Sequence, residues 1–263
     1  MPFTVSHAVA ALPFLRTPLP VAALVVGTMA PDLPYFLPLG IPRDFSHSLL
    51  GAVTVDLAVG VVVLVAWIFL LRAPLLDYAP SWLRDRMPAR ERATVLWTLL
   101  ALVVGAFTHL AIDTVTHEGS LDAVLPVMAL EIGPYSVANY VHFVISCAGA
   151  AILAIWVRRW VQRTPRREAP DRESPDRNTS VVGTTERTRL WITFAAGFLA
   201  VFFASWTYQL FWVGTTVFDQ NALFVAFCYP VGIFGVIALV LCAVWHRRAR
   251  ARSTVNANNN EAA

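Results

Sequence analysis

Residues 95–115 read Val95-Leu-Trp-Thr-Leu-Leu-Ala-Leu-Val-Val-Gly105-Ala-Phe-Thr-His109-Leu-Ala-Ile-Asp113-Thr-Val115. A bilayer crossing takes roughly 20 apolar residues of helix, and this run has that length. It contains no Arg. Backbone polar groups in lipid must be satisfied within the segment, so the run predicts a transmembrane helix. His109 and Asp113 stand near its C-terminal end, and both are costly in such a place.

Four further runs have the same character: Leu49–Leu71, Val137–Val157, Leu190–Trp212 and Ala222–Trp245, again without Arg. Together they predict an all-α polytopic membrane helix bundle with five long transmembrane helices. Composition agrees. Of 263 residues, 57% are apolar and 14% charged, and the mean hydropathy is +0.60. Soluble domains are about half apolar and about a quarter charged. A disordered chain and an ordinary water-soluble enzyme are thereby excluded. Nucleic acid is not an expected partner despite a pI of 9.0, because the basic residues sit in clusters between apolar runs. Membrane lipid is the partner the composition demands.

The first 40 residues differ. Val5–Leu15 and Leu19–Ala30 are apolar but short, with Arg16, Pro18 and Pro20 between them. They lack the basic n-region of a secretory signal, and Pro13 and Pro18 interrupt the run. Two readings stand: one irregular span over Leu19–Leu39, or two short helices forming a re-entrant hairpin. Pro31 and Pro34 break the helix in either case.

All 20 basic residues are Arg. The Arg72–Thr94 connection holds five, Arg158–Arg189 nine, and the tail after His246 four, which is 18 of 20. The Gly40–Ser48, Thr116–Ser136 and Val213–Asn221 connections hold only Arg43. Arg-rich connections stay cytoplasmic. The C-terminus is then cytoplasmic, and residues 40–48 and the His117 end of the Val95–Val115 helix face outward. Domain organisation follows: residues 1–160 as a polar-motif membrane region, 161–188 as a disordered cytoplasmic linker, 189–246 as two further spans, and 247–263 as a disordered tail. Cys147, Cys228 and Cys242 all lie in apolar runs and have no metal-ligand spacing.

His109, Asp113 and His117 are each four residues apart. At about 100° per residue, successive members differ by about 40°, so all three share one helix face. Imidazole and carboxylate at this spacing can hold a divalent ion such as Zn, Mn or Fe. They can equally form a hydrogen-bonded pair that pins helices together. Other polar groups gather at the same outer end: Asp32 where the first segment stops, and Asp44, Ser46 and His47 before Leu49. His7 joins them only if the first 30 residues form a hairpin. Thr4 and Ser6 read as plain helix caps. Asp56 lies nine residues past His47, about half a turn away, and suits a helix contact. His142 is a weaker candidate for an added ligand.

Four stretches carry a resemblance: Met1-Pro-Phe-Thr-Val-Ser-His7, Gly27-Thr-Met-Ala-Pro-Asp32, Asp44-Phe-Ser-His47-Ser48-Leu-Leu-Gly51 and His109-Leu-Ala-Ile-Asp113-Thr. The ordered set resembles a bacterial membrane family described as domain of unknown function 4184. It is also similar to the group of inner-membrane-bound metal-dependent hydrolases, over about the first 120 residues. The resemblance implies His7, Asp32, His47, His109 and Asp113 as metal ligands; with their N and O donors, Zn or Mn is the expected ion. It implies hydrolysis in the bacterial inner membrane. The group's Pro-Asp-x-Asp element reads Pro31-Asp32-Leu33-Pro34 here, so its second carboxylate is missing unless Asp44 replaces it. Asp44, Glu118 and His117 are the candidates for general base. A site at the outer interface suits an amphiphilic substrate, such as a phospholipid or lipid-linked phosphoester. The non-enzymatic alternative is a structural or partner-binding membrane protein with a static polar core. Ion or proton transport is the third reading, with Asp56 as its one deep acid.

Overall fold

The computed structural model describes residues 4–36, 39–88, 93–116, 124–166, 182–217 and 219–261. Its helices include a 3₁₀ helix Thr4–Phe14, α1 Val21–Met29, α2 Leu33–Phe36, α3 Arg43–Ser46, α4 Leu49–Val53, α5 Val55–Ala66, α6 Arg72–Tyr78, α7 Ser81–Arg84, α8 Val95–Thr116, α9 Val137–Arg163, α10 Thr184–Tyr208 and α11 Gln220–Glu261. A two-residue hairpin, β1 Glu131–Ile132 with β2 Tyr135–Ser136, precedes α9. Five helices are long and apolar enough to cross a membrane: Val55–Tyr78, Val95–Thr116, Val137–Arg163, Thr185–Val213 and Asn221–Arg252. The chain is therefore an all-α membrane bundle.

Two boundaries differ from the sequence reading. The first crossing begins at Val55, not Leu49. Ser48 caps a separate turn, α4, by accepting a hydrogen bond from the Gly51 N–H at 2.9 Å. Thr54 then leaves helical geometry, at φ −118° and ψ −87°, and its hydroxyl donates back to the Leu50 carbonyl at 2.6 Å. That local bond competes with the helix ladder and marks the break. The second difference is at the end. Residues after His246, which composition suggests are disordered, continue α11 to Glu261.

The N-terminal segments form a hairpin rather than a span. Thr17 closes the turn: its hydroxyl donates to the Phe14 carbonyl at 2.7 Å and accepts from the Leu19 N–H at 3.3 Å. The outgoing arm is an unusually long 3₁₀ helix of 11 residues. Its steeper rise has a geometric use. From Phe14 back to His7 it climbs about 14 Å at about 2.0 Å per residue. From Val21 to Asp32 the returning arm climbs about 16 Å at about 1.5 Å per residue. His7 therefore stands close to the level of Asp32, and at the end of the same arm the Thr4 hydroxyl donates to Asp32 Oδ2 at 2.7 Å.

The hairpin is held against α8. Ala11, Leu19, Ala23, Leu24, Leu64, Ala101 and Leu102 form the buried apolar core there. α1 and α8 approach to backbone contact, which small residues permit in membrane helix pairs. A Cβ on Gly27 would collide with the Leu102 carbonyl. One on Gly105 would lie 2.5 Å from the Leu24 carbonyl oxygen and 2.7 Å from the Thr28 nitrogen.

The Arg-rich end of the bundle is tied by polar contacts of its own. Buried Asp77 accepts from Trp245 Nε1 at 2.7 Å, and the Arg187 Nε donates to the Asp77 carbonyl at 3.0 Å. Trp191 Nε1 donates to the Tyr78 carbonyl, and His246 Nε2 to the Leu70 carbonyl. Arg86 Nε caps the end of α9 through the Val161 and Thr164 carbonyls. These bonds dock α10 and α11 on the first half of the chain.

Gly105→Val should force α1 away from α8 and destabilise the bundle by about 1–3 kcal/mol, the usual cost of overpacking. Gly235→Ala, whose Cβ meets nothing within 4 Å, should not. Unfolding of both purified variants in detergent by SDS titration checks the contrast.

Candidate metal centre

Four chain segments deliver side chains to one end of the bundle. α8 contributes His109 and Asp113, one turn apart on its buried face. The same face carries Ala101 and Gly105 further along, so small residues precede the polar ones at a period of four. Close approach of α1 over Gly105 brings the Thr28 carbonyl within 2.8 Å of His109 Nδ1. His109 donates there, which leaves the lone pair on Nε2. A carbonyl behind the ring in this way fixes the tautomer of metal-binding histidines in general.

Asp32 arrives from the returning arm of the hairpin. α1 stops at Met29, and Pro31 opens a 3₁₀ turn over Ala30–Asp32 that directs the carboxylate inward. It is 1% exposed. His47 arrives from the end of α3. Its Nδ1 faces the Ser46 hydroxyl at 3.0 Å and the Arg43 carbonyl at 3.2 Å, so Nε2 points at the carboxylates. His7 comes from the 3₁₀ arm and stacks on His109, with ring centroids 4.2 Å apart.

The donor separations are narrow in range. His47 Nε2 lies 3.4 Å from Asp32 Oδ1 and 3.4 Å from Asp113 Oδ2. His109 Nε2 lies 3.6 Å and 3.5 Å from the same two oxygens. His7 Nε2 is 3.7 Å from Asp113 Oδ1. Donors held about 2.0–2.2 Å from one ion at tetrahedral angles stand about 3.3–3.6 Å apart, so the residues fit a divalent ion. Two groups, His7–Asp32–His109 and His47–His109–Asp113, each present three ligand atoms within 4.8 Å of one another. Both use His109. With Nδ1 committed to Thr28, that ring has a single lone pair, so it can serve one ion and not two. Asp32 Oδ1, His47 Nε2 and His109 Nε2 are buried without a hydrogen-bond partner. Buried polar atoms are nearly always paired, and these three adjacent exceptions are atoms that a metal ion could satisfy.

Electrostatics sort the two histidines outside the long spans. Burial and the adjacent His109 ring push His7 down to about 4, so it is a neutral imidazole. Burial opposes charge on His47 too, but the two carboxylates beside it outweigh that and push it up to about 9.

Other sequence candidates fall differently. Asp44 is exposed on the first turn of α3 and belongs to neither donor group. His117 and Glu118 lie outside the described residues. His142 is buried on α9 and joins neither donor group. Asp56, expected at a helix contact, is 1% exposed, and both its oxygens lack a hydrogen-bond partner. It stands close enough for its charge to act on His47 and His109. Thr4 was expected only to cap a helix, yet it braces Asp32. A hydroxyl three residues from an N-terminal histidine was its only signal. Thr28 acts through its backbone and gave none.

The family described as Domain of unknown function (DUF4184) matches residues 1–245, and the chain belongs to it. The match reaches well past the four motifs and takes in the later membrane helices. No curated protein and no solved structure matches the chain.

Two outcomes test the centre. Purified wild type dialysed against zinc should retain about one ion per chain, and Asp113→Asn should retain far less while still inserting, as read by elemental analysis. Uptake should also release protons. Below about 9 an empty site holds a proton on His47, and ligation requires neutral imidazole. Zinc affinity should therefore fall as pH drops, with at least one proton released per ion near pH 7, measured with an indicator dye.

Proposed function

We propose that this DUF4184 member is a metal-dependent hydrolase of the bacterial inner membrane, acting near the outer face on a lipid-like or phosphoester substrate. The observation that carries the reading is the set of buried, mutually facing Asp32, His47 and His109 atoms without hydrogen-bond partners. A static polar core, the rival reading, gains its stability by pairing such atoms. Membrane hydrogen bonds are worth only ~0.6 kcal/mol each on average, which is a small return for burying five ionisable side chains.

Zinc or manganese suits the nitrogen and oxygen donors of His7, Asp32, His47, His109 and Asp113. When bound, such an ion lowers the pKa of water from about 15.7 to about 7 and polarises a scissile phosphoester or ester. The chain's own residues do the rest. Thr28 orients His109, and Thr4 holds Asp32 through the oxygen not turned toward the histidines. The two carboxylates compensate a divalent charge. Packing of α1 on α8 closes the site from below, where His109 has no exposure. Asp44, three residues before His47, can act as general base, as can His117 or Glu118 just beyond α8.

The Arg distribution supports an outer location and a cytoplasmic C-terminus. Phe45, Leu49 and Leu50, next to His47, are exposed and apolar, which suits a substrate approaching from the bilayer.

Zinc- or manganese-loaded protein in nanodiscs should hydrolyse a chromogenic phosphodiester or a short-chain phospholipid. The activity should vanish with chelator and fall by at least about a hundredfold in Asp32→Asn, the scale of losing a ligand's supporting interaction. Absence of both ion retention and turnover in the wild type would return the cluster to a structural role.

A further inference from the structure

Arg43 is the one basic residue in the Arg-poor connections. It opens α3, and its Nη2 lies 4.0 Å from Asp113 Oδ2. Its charge also acts on the nearby Tyr35 hydroxyl. Tyr35 is itself fixed: its ring meets Phe224 edge-on at 5.3 Å and stands 6.2 Å from the His47 ring. A phenol is protonated at neutral pH, so the Tyr35 hydroxyl has a proton to donate. The Arg43 side chain is 41% exposed, so part of its donor fork faces outward.

Neither stability nor topology accounts for this arginine. A 4.0 Å pair on a half-exposed side chain contributes little. An Arg in an otherwise Arg-free outer connection also works against the inside-positive bias. Charge gives it a role. Asp32 and Asp113 together balance a divalent ion, so with an ion bound Asp113 would no longer offset the Arg43 charge. A guanidinium fork matches a phosphate bidentately, and a phenol can donate a further bond. Phe45, Leu49 and Leu50 present exposed apolar surface in the next two turns of chain.

We propose that Arg43 and Tyr35 form an anion clamp that binds the phosphoryl group of the substrate, whose hydrocarbon part lies along Phe45, Leu49 and Leu50. The inference rests on the hydrolase reading and narrows its substrate to a phosphate ester carried on a lipid tail. Arg43 is not a ligand of the ion; it reads the group the ion acts on.

The test uses zinc-dialysed full-length protein in phosphatidylcholine nanodiscs, with two probes: phosphatidic acid added to the discs, and free inorganic phosphate. Zinc content and phosphate binding by phosphorus NMR are measured side by side for wild type, Arg43→Gln, Arg43→Lys and Tyr35→Phe. Arg43→Gln should keep its zinc and bind phosphatidic acid about tenfold more weakly or worse, the scale of one hydrogen bond to a charged group. Arg43→Lys should recover part of the loss. Phosphatidic acid binding well above that of free phosphate supports the lipid source; equal binding removes the tail from the proposal and overturns that half. Unchanged affinity in Arg43→Gln overturns the clamp. Zinc loss in Arg43→Gln, as in Asp113→Asn, overturns it as well, since Arg43 would then be a prop for Asp113. A zinc-free wild type fails the hydrolase reading itself and is read separately from the anion data.

Discussion

The hydrogen bond from His109 Nδ1 to the Thr28 carbonyl is the contact on which the site depends. It exists only because α1 and α8 touch backbone to backbone through Gly27 and Gly105. Any side chain at either position would lift α1 by more than the bond can stretch. The bond does three things at once. It satisfies a carbonyl near the end of α1, where the helix gives way to the Pro31 turn. It decides which nitrogen of His109 carries the proton. It also sets the height of α1, and with it Asp32, against α8. Helix packing and ligand chemistry are thus one constraint, expressed by the period-of-four stripe Ala101, Gly105, His109 and Asp113.

The hairpin supplies what α8 alone lacks. A single helix face can offer two or three donors in a row, all on one side of an ion. His7, Asp32 and His47 enclose the other sides because the chain turns back at Thr17 and again before α3. The change of helix type within the hairpin brings His7 close to the level of Asp32, and Thr4 ties the two arms together there. The Thr54 break has a related effect. It separates α4 from α5, so the residues around His47 are not obliged to follow the direction of the long crossing.

Much of this was legible in the sequence, for identifiable reasons. The five spans are visible because twenty apolar residues without Arg admit few other structures. His109 and Asp113 are visible because helical spacing converts directly into a shared face. His7 was conditional on a hairpin that the Pro and Arg residues at 13–20 allowed but did not require. Asp32 and His47 were visible as polar groups at the same outer end, but their role as ligands came from the motif resemblance, since residues 15 apart in a broken segment have no computable separation. The bracing by Thr28 was invisible, because a backbone carbonyl has no letter. The Thr54 break was hidden inside an apolar run, where only a threonine hydroxyl hints at a competing bond. The helical extension after His246 was missed because an Asn-rich composition says little about what a preceding helix will carry with it.

That extension has a mechanical corollary. α11 has 42 residues and so measures about 63 Å, roughly twice a hydrocarbon core. Arg247, Arg248, Arg250 and Arg252 ride on it as one stiff unit, and Trp245 below them is bolted to Asp77. Guanidinium groups resist immersion in hydrocarbon, so this collar fixes how deep the whole assembly floats. The histidine end inherits its level from that draught mark, about 38 Å of helix away along Ala222–Arg247, a stretch that includes Pro230. A thinner bilayer would leave the pocket standing proud of the lipid, and a thicker one would drown it.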